Sequence, residues 1–400
     1  MPPDLAELGS RLADDLAAHA VTVERGQLGY TADFIDSATF DAAVFSQTWL
    51  VKKILVEDQP AIIGGPKKSL KTSILVDMAI SIAAGTREKF LGRFDAENPR
   101  RVGIISGESG EATLQKTAQR VCRTKHLDLA QCNVFWSFML PQASHVEDLE
   151  KLAKAISANR LQLVFLDPLY LTLLRGNAKA SAANMFDMGP LLSDLANTCR
   201  NAGATPVFVH HTRKSAKNQS QYRPPELEDL AFAGIQEFAR QWILLSRREA
   251  FESDSGEHKL WLKAGGSAGH SGLWSVDIDE GKMNENFGGR RWDVIVRTAA
   301  EEYGRLDEER QDKKTQKEEA RREVDIGKLR AALENYPDGE TYNVLREFAG
   351  LGTTRARPAL NELENAGEVE KTTITKPAGN AMRQHPAYRL VREEPTDEPE

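Results

Sequence analysis

Short, almost wholly apolar runs alternate with longer stretches that carry helix signals between residues 60 and 211. The apolar runs predict strands at 60–64, 102–106, 134–138, 161–167 and 205–211, and the longer stretches predict helices at 71–85, 111–125, 146–158 and 187–202. Strands without a polar face, alternating with helices, are typical of a parallel sheet that helices cover on both sides. The pattern therefore predicts an α/β fold with a mainly parallel sheet.

Beyond residue 211 the pattern changes. Residues 212–235 are predicted to form a long polar loop. Apolar runs at 242–245, 259–263 and 292–296, separated by glycine-rich turns, predict antiparallel strands that close one end of the sheet. Residues 301–323 contain nine acidic and seven basic side chains and almost no apolar ones, which predicts a solvated helix or linker.

These changes divide the chain into five predicted segments. They are an N-terminal helical arm at 1–48, a core domain at 49–300, a charged helical linker at 301–323, a small domain at 324–392 and a disordered acidic tail at 393–400.

Composition narrows the classes of function. The chain has 400 residues and a net charge of −7, so it is not a polycation that coats nucleic acid, and any DNA contact requires a local basic patch. No apolar run reaches about 18 residues, so no membrane partner is expected. The first residues show no signal peptide, and Cys122, Cys132 and Cys199 form no Cys-x-x-Cys pair. We therefore expect a protein of the reducing cytoplasm.

A phosphate-binding loop is predicted between the first strand and the first helix of the core. The run from Gly65 to Thr72 nearly matches G-x-x-x-x-G-K-[ST], in which backbone N–H groups surround the phosphates, the lysine binds the β/γ-phosphates and the hydroxyl binds Mg²⁺. Leu70 replaces the second glycine, and we expect an ordinary φ there because the residue enters the helix. The alternative is a Gly-Pro turn with solvated lysines. The predicted ATP-binding residues are Gly64, Gly65, Pro66, Lys67, Lys68, Ser69, Leu70, Lys71, Thr72 and Ser73.

Polar residues end the neighbouring strands, at the sheet edge where open α/β folds bind ligands. Asp167 is suited to hold Mg²⁺ through water, together with Thr72. Glu108 is suited to polarise the attacking water, with Glu111 as its rival. Of the adjacent His210 and His211, one is expected to face the γ-phosphate and the other the core.

Arg240 precedes an apolar strand. Its guanidinium is suited to stabilise charge in phosphoryl transfer, and a surface salt bridge is the alternative.

These residues occur in an order that resembles the RecA/DnaB-type ATPases, and most of all the RepA-like plasmid and phage helicases. The resemblance covers roughly residues 49–300. It implies a RecA-like P-loop core and a hexameric ring with ATP at the subunit interfaces. The implied roles are Walker A for Lys71 and Thr72, catalytic glutamate for Glu108, Walker B for Asp167, γ-phosphate sensor for His211 or His210, and arginine finger on a neighbour's ATP for Arg240.

The loop at 212–228 falls where such ATPases contact DNA in the ring channel. Lys214, Lys217 and Arg223 are therefore predicted contacts to single-stranded DNA, although flexible polar loops without this role are common.

The small C-terminal domain is predicted as three helices followed by a two-stranded hairpin, an order that resembles a winged helix. Arg355 and Arg357 lie in the first turn of the third helix, where a recognition helix meets duplex DNA, and Lys376 and Arg383 fall in the wing. A winged-helix module that docks a protein is the alternative.

Together these features predict an ATP-hydrolysing replication motor or loader of the RepA-like helicase type. The alternatives are a nucleotide-gated DNA-binding regulator without motor activity and, less well supported, a P-loop kinase for a small substrate.

Overall fold

A computed structural model describes residues 34–174, 181–213, 222–285, 288–378 and 381–391. The contacts within the chain divide it into two units, Met1–Glu302 and Tyr303–Glu400. Most of the predicted N-terminal arm and the whole acidic tail at 393–400 lie outside the described residues. None of the helices in the described ranges is both long and apolar enough to cross a bilayer.

The first unit alternates strands and helices much as the hydrophobic pattern predicts. Its strands are β1 (Trp49–Val51), β2 (Leu55–Val56), β3 (Ala61–Gly65), β4 (Lys89–Phe90), β5 (Phe94–Asp95), β6 (Val102–Ser106), β7 (Val134–Ser137), β8 (Leu163–Asp167), β9 (Thr205–His211), β10 (Gln241–Arg247), β11 (Glu257–Gly266), β12 (Ser271–Asp279) and β13 (Asp293–Thr298). Its α-helices are α1 (Ser37–Ala42), α2 (Lys71–Ala84), α3 (Glu111–Thr124), α4 (Val146–Ala158), α5 (Leu169–Leu174), α6 (Met185–Asn201) and α7 (Ile235–Phe238).

A nine-stranded sheet organises this unit, with the strand order β13-β12-β11-β10-β3-β9-β8-β6-β7 within the described residues. Strands β10, β3, β9, β8, β6 and β7 are parallel, which confirms the predicted sheet. Strands β11, β12 and β13 add antiparallel partners at one edge. The sequence pattern treated part of this edge as turns, whereas β12 is a nine-residue strand.

The central strands are apolar along their whole length because each of their two faces packs into a different hydrophobic core. In β8, Leu163 and Phe165 pack into one cluster, and Val164 and Leu166 pack into the other. Side chains of consecutive strand residues point to opposite faces, so a strand covered on both sides needs apolar residues throughout. The polar exception is Asp167 at the end of the strand.

The second unit contains most of a 36-residue helix, α8 (Ala299–Glu334), and the unit boundary falls inside this helix. It continues with α9 (Tyr342–Phe348), α10 (Thr353–Asn365), β14 (Val369–Ala378) and β15 (Ala381–Leu390). The two strands form an antiparallel hairpin, and Leu329, Leu345 and Leu360 belong to its separate core. The predicted helices and strands are present in the predicted order, although the first helix is the end of α8 rather than a separate element.

Candidate active site

The loop between β3 and α2 has the position of a phosphate-binding loop. Strand β3 ends at Gly65, and helix α2 begins at Lys71. A Cβ at Gly65 would lie 2.8 Å from Ser69 Oγ. The loop passes so close to this position that only glycine fits there without a shift. The Ser69 hydroxyl closes the turn by donating to the Pro66 carbonyl at 2.8 Å. The free N–H groups of the first turn of α2 therefore lie directly after a tight loop, as anion binding requires.

Leu70 corrects one prediction of the sequence analysis. It is the N-cap of α2 and has φ 58° and ψ 22°, in the left-handed region, rather than an ordinary φ. This conformation costs a non-glycine residue about 1–2 kcal/mol, which explains why the motif places glycine here. The partly buried Leu70 side chain packs against the larger core, so the same residue also contributes apolar contact.

Lys71 is buried at the end of this loop and is 7% exposed. Its ammonium group donates hydrogen bonds to the Gly65 carbonyl at 2.9 Å and to the Pro66 carbonyl at 2.7 Å. Burial lowers the pKa of Lys71 to about 8, while the negative charges of Asp167 and Glu108 act in the opposite direction. The lysine is thus held within the loop in a position to exchange carbonyl oxygens for phosphate oxygens.

Thr72 and Asp167 form the second part of the site. The Thr72 hydroxyl donates to Asp167 Oδ2 at 2.7 Å. Asp167 ends β8 beside Ser106 of β6, and its carbonyl accepts from the Gly107 N–H at 2.9 Å. Burial raises the pKa of Asp167. The hydroxyl and carboxylate oxygens are the hard ligands that Mg²⁺ prefers, so these two residues fit the predicted metal role.

Glu108 is exposed directly after β6, and its carboxylate accepts a hydrogen bond from the Tyr170 hydroxyl. This bond raises the pKa of Tyr170 to about 12. The negative charge of Glu108 also acts to raise the pKa values of Lys71 and His211, so the carboxylate belongs to the same site as these two residues. Its rival Glu111 is exposed at the first position of α3 and enters none of these interactions among the described residues.

Tyr170 was missed by the sequence analysis. It lies in α5, which begins two residues after the end of β8 and was not predicted, because its six residues are too few to show a helical period. A tyrosine so soon after the strand-end aspartate was the available signal.

The two histidines at the end of β9 face opposite ways, as predicted. His210 is buried, its ring packs edge-on against Phe232 at 4.8 Å, and burial lowers its pKa to about 4. His211 is half-buried and lies beside Gly65, with its ring 5.8 Å from that of Tyr170. Burial and the charge of Lys71 lower the pKa of His211. His211 is therefore the histidine on the side of the loop, and it is neutral at pH 7.

Two arginines lie at opposite ends of β10. Arg240 is exposed just before Gln241, which pairs with Ala61 at the start of β3, so Arg240 does not approach the loop of its own chain. Arg247 ends β10 and donates to the Lys68 carbonyl at 3.0 Å. Arg247 is a loop contact that sequence reasoning did not single out.

The predicted DNA-contacting residues of the long loop are only partly described. Lys214 and Lys217 lie outside the described residues. Arg223 is described, and its guanidinium pairs with Asp229 and also donates to the Pro224 carbonyl. The Arg223 charge is therefore compensated within the chain, which a sequence alone does not reveal.

The four basic residues predicted to contact DNA in the C-terminal unit differ in whether an acidic side chain pairs with them. Arg355 pairs with the buried Asp325, with Nε donating to Oδ2 at 2.8 Å. Lys376 donates to both carboxylate oxygens of Glu340 at 2.6 Å. The remaining two are more available: Arg357 lies over the Tyr342 ring at 4.0 Å, and Arg383 is exposed without an ion pair among the described residues.

A buried carboxylate in the middle of α2 holds this helix in place behind the loop. Asp77 is 1% exposed and accepts from the Leu91 N–H at 3.0 Å and from Trp292 Nε1 at 2.6 Å. The Lys125 ammonium lies 3.3 Å from it. These partners satisfy the carboxylate and fix α2 against the edge of the sheet.

Comparison with known proteins agrees with this geometry. Residues 31–217 match a family model described as an AAA domain, a family of P-loop NTPases. The matched segment includes the loop from Gly65 to Thr72, Glu108, Asp167 and His211, and ends before Arg240. No curated protein matches the chain. Residues 31–217 are thus similar to an AAA domain of the P-loop NTPase type, and the loop, Thr72 and Asp167 lie within the similar segment.

No group of three His, Cys, Asp or Glu residues is placed to hold a metal ion in the part of the chain that the structure describes. The His210–His211 pair therefore has no third ligand there, and Mg²⁺ would be shared between the protein and the nucleotide phosphates.

Proposed function

We propose that this chain is an ATP-hydrolysing, DNA-associated protein of the RepA-like helicase type, which acts as a motor or loader and assembles as a ring with ATP at the subunit interfaces. The observation that carries the ATPase proposal is the hydrogen bond of Thr72 to Asp167 beside Lys71, with Glu108 just after the neighbouring strand β6. This is the set of groups that phosphoryl transfer requires: positioning, charge neutralisation and a residue for the attacking water.

Each residue of the site has a defined task in this proposal. The Lys71 ammonium leaves the carbonyls of Gly65 and Pro66 and neutralises charge on the β- and γ-phosphates. Glu108 orients the attacking water and accepts its proton. Neutral His211 donates a hydrogen bond to the γ-phosphate. When bound through Thr72 and Asp167, Mg²⁺ would supply further charge neutralisation at the phosphates.

Association with DNA is the finer part of the proposal. It is supported by the resemblance of the core and by the order of α9, α10 and the β14–β15 hairpin, which is the order of a winged helix. Because Arg355 and Lys376 have acidic partners, Arg357 and Arg383 are the proposed contacts to duplex DNA. Single-stranded DNA remains the proposed ligand of the loop at 212–228.

A nucleotide-gated regulator is a second candidate, favoured by the Tyr170 hydrogen bond to Glu108. This bond occupies a carboxylate oxygen that water activation needs, and it therefore favours slow basal turnover. A regulator predicts slow turnover and site-specific duplex binding, whereas a motor predicts turnover that single-stranded DNA stimulates.

One measurement tests the proposal directly. The ATPase rate is measured with and without single-stranded DNA, alongside the solution mass with and without nucleotide. DNA-stimulated turnover by an oligomer supports the motor, and the absence of any nucleotide turnover under both conditions contradicts the enzyme assignment.

The interface role of Arg240 has its own test. Lys71→Ala is expected to be nearly inactive because the phosphates lose the lysine charge. Arg240→Ala is expected to be nearly inactive because an arginine finger contributes about 10³–10⁵ in rate. Mixing the two variants is expected to restore part of the activity, since mixed interfaces pair an intact loop with an intact arginine. No recovery despite proven exchange of subunits would contradict a role in trans.

A further inference from the structure

Helices α9 and α10 of the second unit are joined by a short turn at residues 349–352. Gly350 in this turn has φ 63°, a conformation that suits glycine. One face of α10 belongs to the same core as Leu345 of α9, and it consists of Ala356, Ala359, Leu360 and Leu363. Two packed helices with such a connection are typical of a helix-turn-helix, whose second helix enters the major groove of duplex DNA.

The opposite face of α10 is a polar stripe. Its exposed members lie three or four residues apart and are Thr354, Arg357, Asn361 and Asn365. The two acids of α10 are only partly exposed beside the stripe, and each pairs with a basic side chain. Glu362 pairs with Arg322, and Glu364 pairs with Lys371 at 3.3 Å. Within α10, all of which the structure describes, Pro358 is the one exposed apolar residue. The stripe therefore offers hydrogen-bonding groups rather than an apolar docking face.

Arg357 is held on this stripe by two neutral partners. Its guanidinium lies over the Tyr342 ring at 4.0 Å, and its Nη1 donates to the Tyr388 hydroxyl at 3.3 Å. Arg355 is different, because it is paired with the buried Asp325. The two neutral contacts fix the plane of the Arg357 guanidinium and leave its other N–H groups available. Two of them match the O6 and N7 acceptors that guanine presents in the major groove.

Asn361 follows Arg357 by one turn and lies near the middle of the stripe. Its side chain is exposed, and no hydrogen bond within the described ranges engages its amide. An asparagine amide presents a donor beside an acceptor, which matches N6 and N7 of adenine in the major groove. The amide is uncharged, so a phosphate attracts it less than it attracts the arginines of this unit. A base edge is therefore the contact that its position and chemistry favour.

We propose that α10 recognises the sequence of duplex DNA in the major groove, with Arg357 bound to a guanine and Asn361 bound to an adenine. Residues four apart are about 6 Å apart along a helix, and base pairs are about 3.4 Å apart along the duplex. The two recognised base pairs therefore lie one or two steps from each other. This inference rests on the DNA association of the proposed function and adds a base preference to it, and it does not depend on ATP hydrolysis.

Selection from random duplexes tests the base preference. The full chain is equilibrated with duplexes that carry a random central sequence, and the bound fraction is sequenced. A G·C pair and an A·T pair, one or two steps apart, are expected to be fixed in the bound fraction. Asn361→Ala is expected to relax the A·T position alone, and Arg357→Ala is expected to relax the G·C position alone.

Asn365→Ala is the matched control. It makes the same substitution on the same stripe, one turn closer to the C-terminal end of α10, whereas helix-turn-helix proteins contact bases with the N-terminal residues of this helix. The control is expected to keep both base-pair positions. Asn361→Ala and the control both place alanine at an exposed helical position, so both are expected to fold with an unchanged melting temperature.

Two duplexes measure the size of the effect by fluorescence anisotropy. One is the selected site, and in the other its A·T pair is replaced by G·C. The unaltered chain is expected to bind the selected site at least about fivefold more tightly. Asn361→Ala is expected to bind both duplexes about equally and with the salt dependence of the unaltered chain, because it removes no charge. Arg357→Ala removes a charge that lies between two phosphate backbones, so its salt dependence is expected to change as well.

Failure of this inference is distinguishable from failure of the proposed function. Equal binding of all duplexes by the unaltered chain, or full retention of the A·T preference by Asn361→Ala, would overturn base recognition and leave DNA association intact. Loss of the A·T preference in the Asn365→Ala control would place the adenine contact there and would also overturn the proposal. No binding of any duplex at low salt, as the protein-docking alternative predicts, would overturn DNA association together with this inference. ADP binding, measured in parallel, tests the ATPase separately, because Lys71 belongs to the first unit.

Discussion

The Thr72 hydroxyl donates a 2.7 Å hydrogen bond to Asp167 Oδ2, across 95 residues of sequence. The bond joins the start of α2 to the end of β8, which are the two elements that carry the proposed magnesium-binding groups. These groups therefore come together through the fold itself, so the cost of ordering them is met before a ligand arrives.

The lowered pKa of Lys71 predicts a pH-dependent affinity for nucleotide. Phosphate groups have a second pKa near 6, so above about pH 7.5 only the protein titrates. With a pKa of about 8 in the free protein, Lys71 is charged below pH 8 and loses its proton above it. The Kd for ADP, measured by calorimetry, is expected to be constant between pH 7.5 and the pKa and then to rise by up to about tenfold per pH unit.

Lys71→Ala serves as the control for this pH profile. It is expected to bind ADP weakly and without a break near pH 8. An unaltered chain whose affinity stays constant to pH 9.5 would contradict the role of the Lys71 charge.

Replacement of Glu108 by glutamine is expected to retain ATP binding and to slow hydrolysis by about 10²–10⁴, the usual contribution of a general base. Glu111→Gln is the matched control and is expected to hydrolyse ATP normally. Single-turnover measurements with bound ATP separate hydrolysis from binding. If Glu111→Gln carries the defect instead, the catalytic glutamate lies one turn further along.

Tyr170→Phe removes the hydroxyl that donates to Glu108 while keeping the ring beside His211. If the hydrogen bond restrains the glutamate by about 1 kcal/mol, the basal ATPase rate is expected to rise about fivefold. A fall in the basal rate would show instead that Tyr170 holds Glu108 in its productive position.

The left-handed conformation of Leu70 predicts opposite results for two substitutions. Leu70→Ile keeps the volume but adds β-branching, and is expected to lower the free energy of unfolding by about 1 kcal/mol or more. Leu70→Gly relieves the strain but loses a partly buried side chain, so a net change below about 1 kcal/mol is expected. Urea denaturation measures both, and equal destabilisation by the two variants would contradict the strain at this position.

The ion pairs of the C-terminal unit predict which of its basic residues bind duplex DNA and which stabilise the fold. Arg357→Ala and Arg383→Ala are each expected to weaken duplex binding of the full chain and to flatten its salt dependence by about one. Arg355→Ala is expected to lower the melting temperature, because it leaves the buried Asp325 without its partner. A loss of salt slope in Arg355→Ala without a change in melting temperature would show that Arg355 is the DNA contact.

The elements that the sequence predicted best are those whose environment is uniform along their length. Strands β6 and β9 agree with their predicted limits, because apolar residues on both faces leave no other interpretation. Strand β12 was missed because Gly272 and neighbouring polar residues resemble a turn, while its pairing with β11 and β13 depends on residues that are distant in sequence.

The site was predictable wherever a motif or a strand end marked it, as at Lys71 and Asp167. The partners of these residues were not, because a hydrogen bond such as that of Tyr170 to Glu108 depends on two separate elements meeting in space. The same limit applies to Arg355, whose charge in the sequence gives no sign that Asp325 neutralises it. Local spacing marks which groups are present, and tertiary packing decides which remain available.

The buried carboxylate of Asp77 has a consequence for how the chain is made. Its donor Trp292 lies 215 residues further on, and β3 obtains its neighbour β10 only when residues 241–247 exist. A nascent chain that has emerged from the ribosome only as far as residue 217 therefore holds a central strand, β3, that is paired with β9 on one side and still lacks β10 on the other, and a buried acid without one of its donors. The segment that a family model matches, 31–217, is thus shorter than the structural unit to which it belongs, and the contacts of that unit are complete only after synthesis of Trp292.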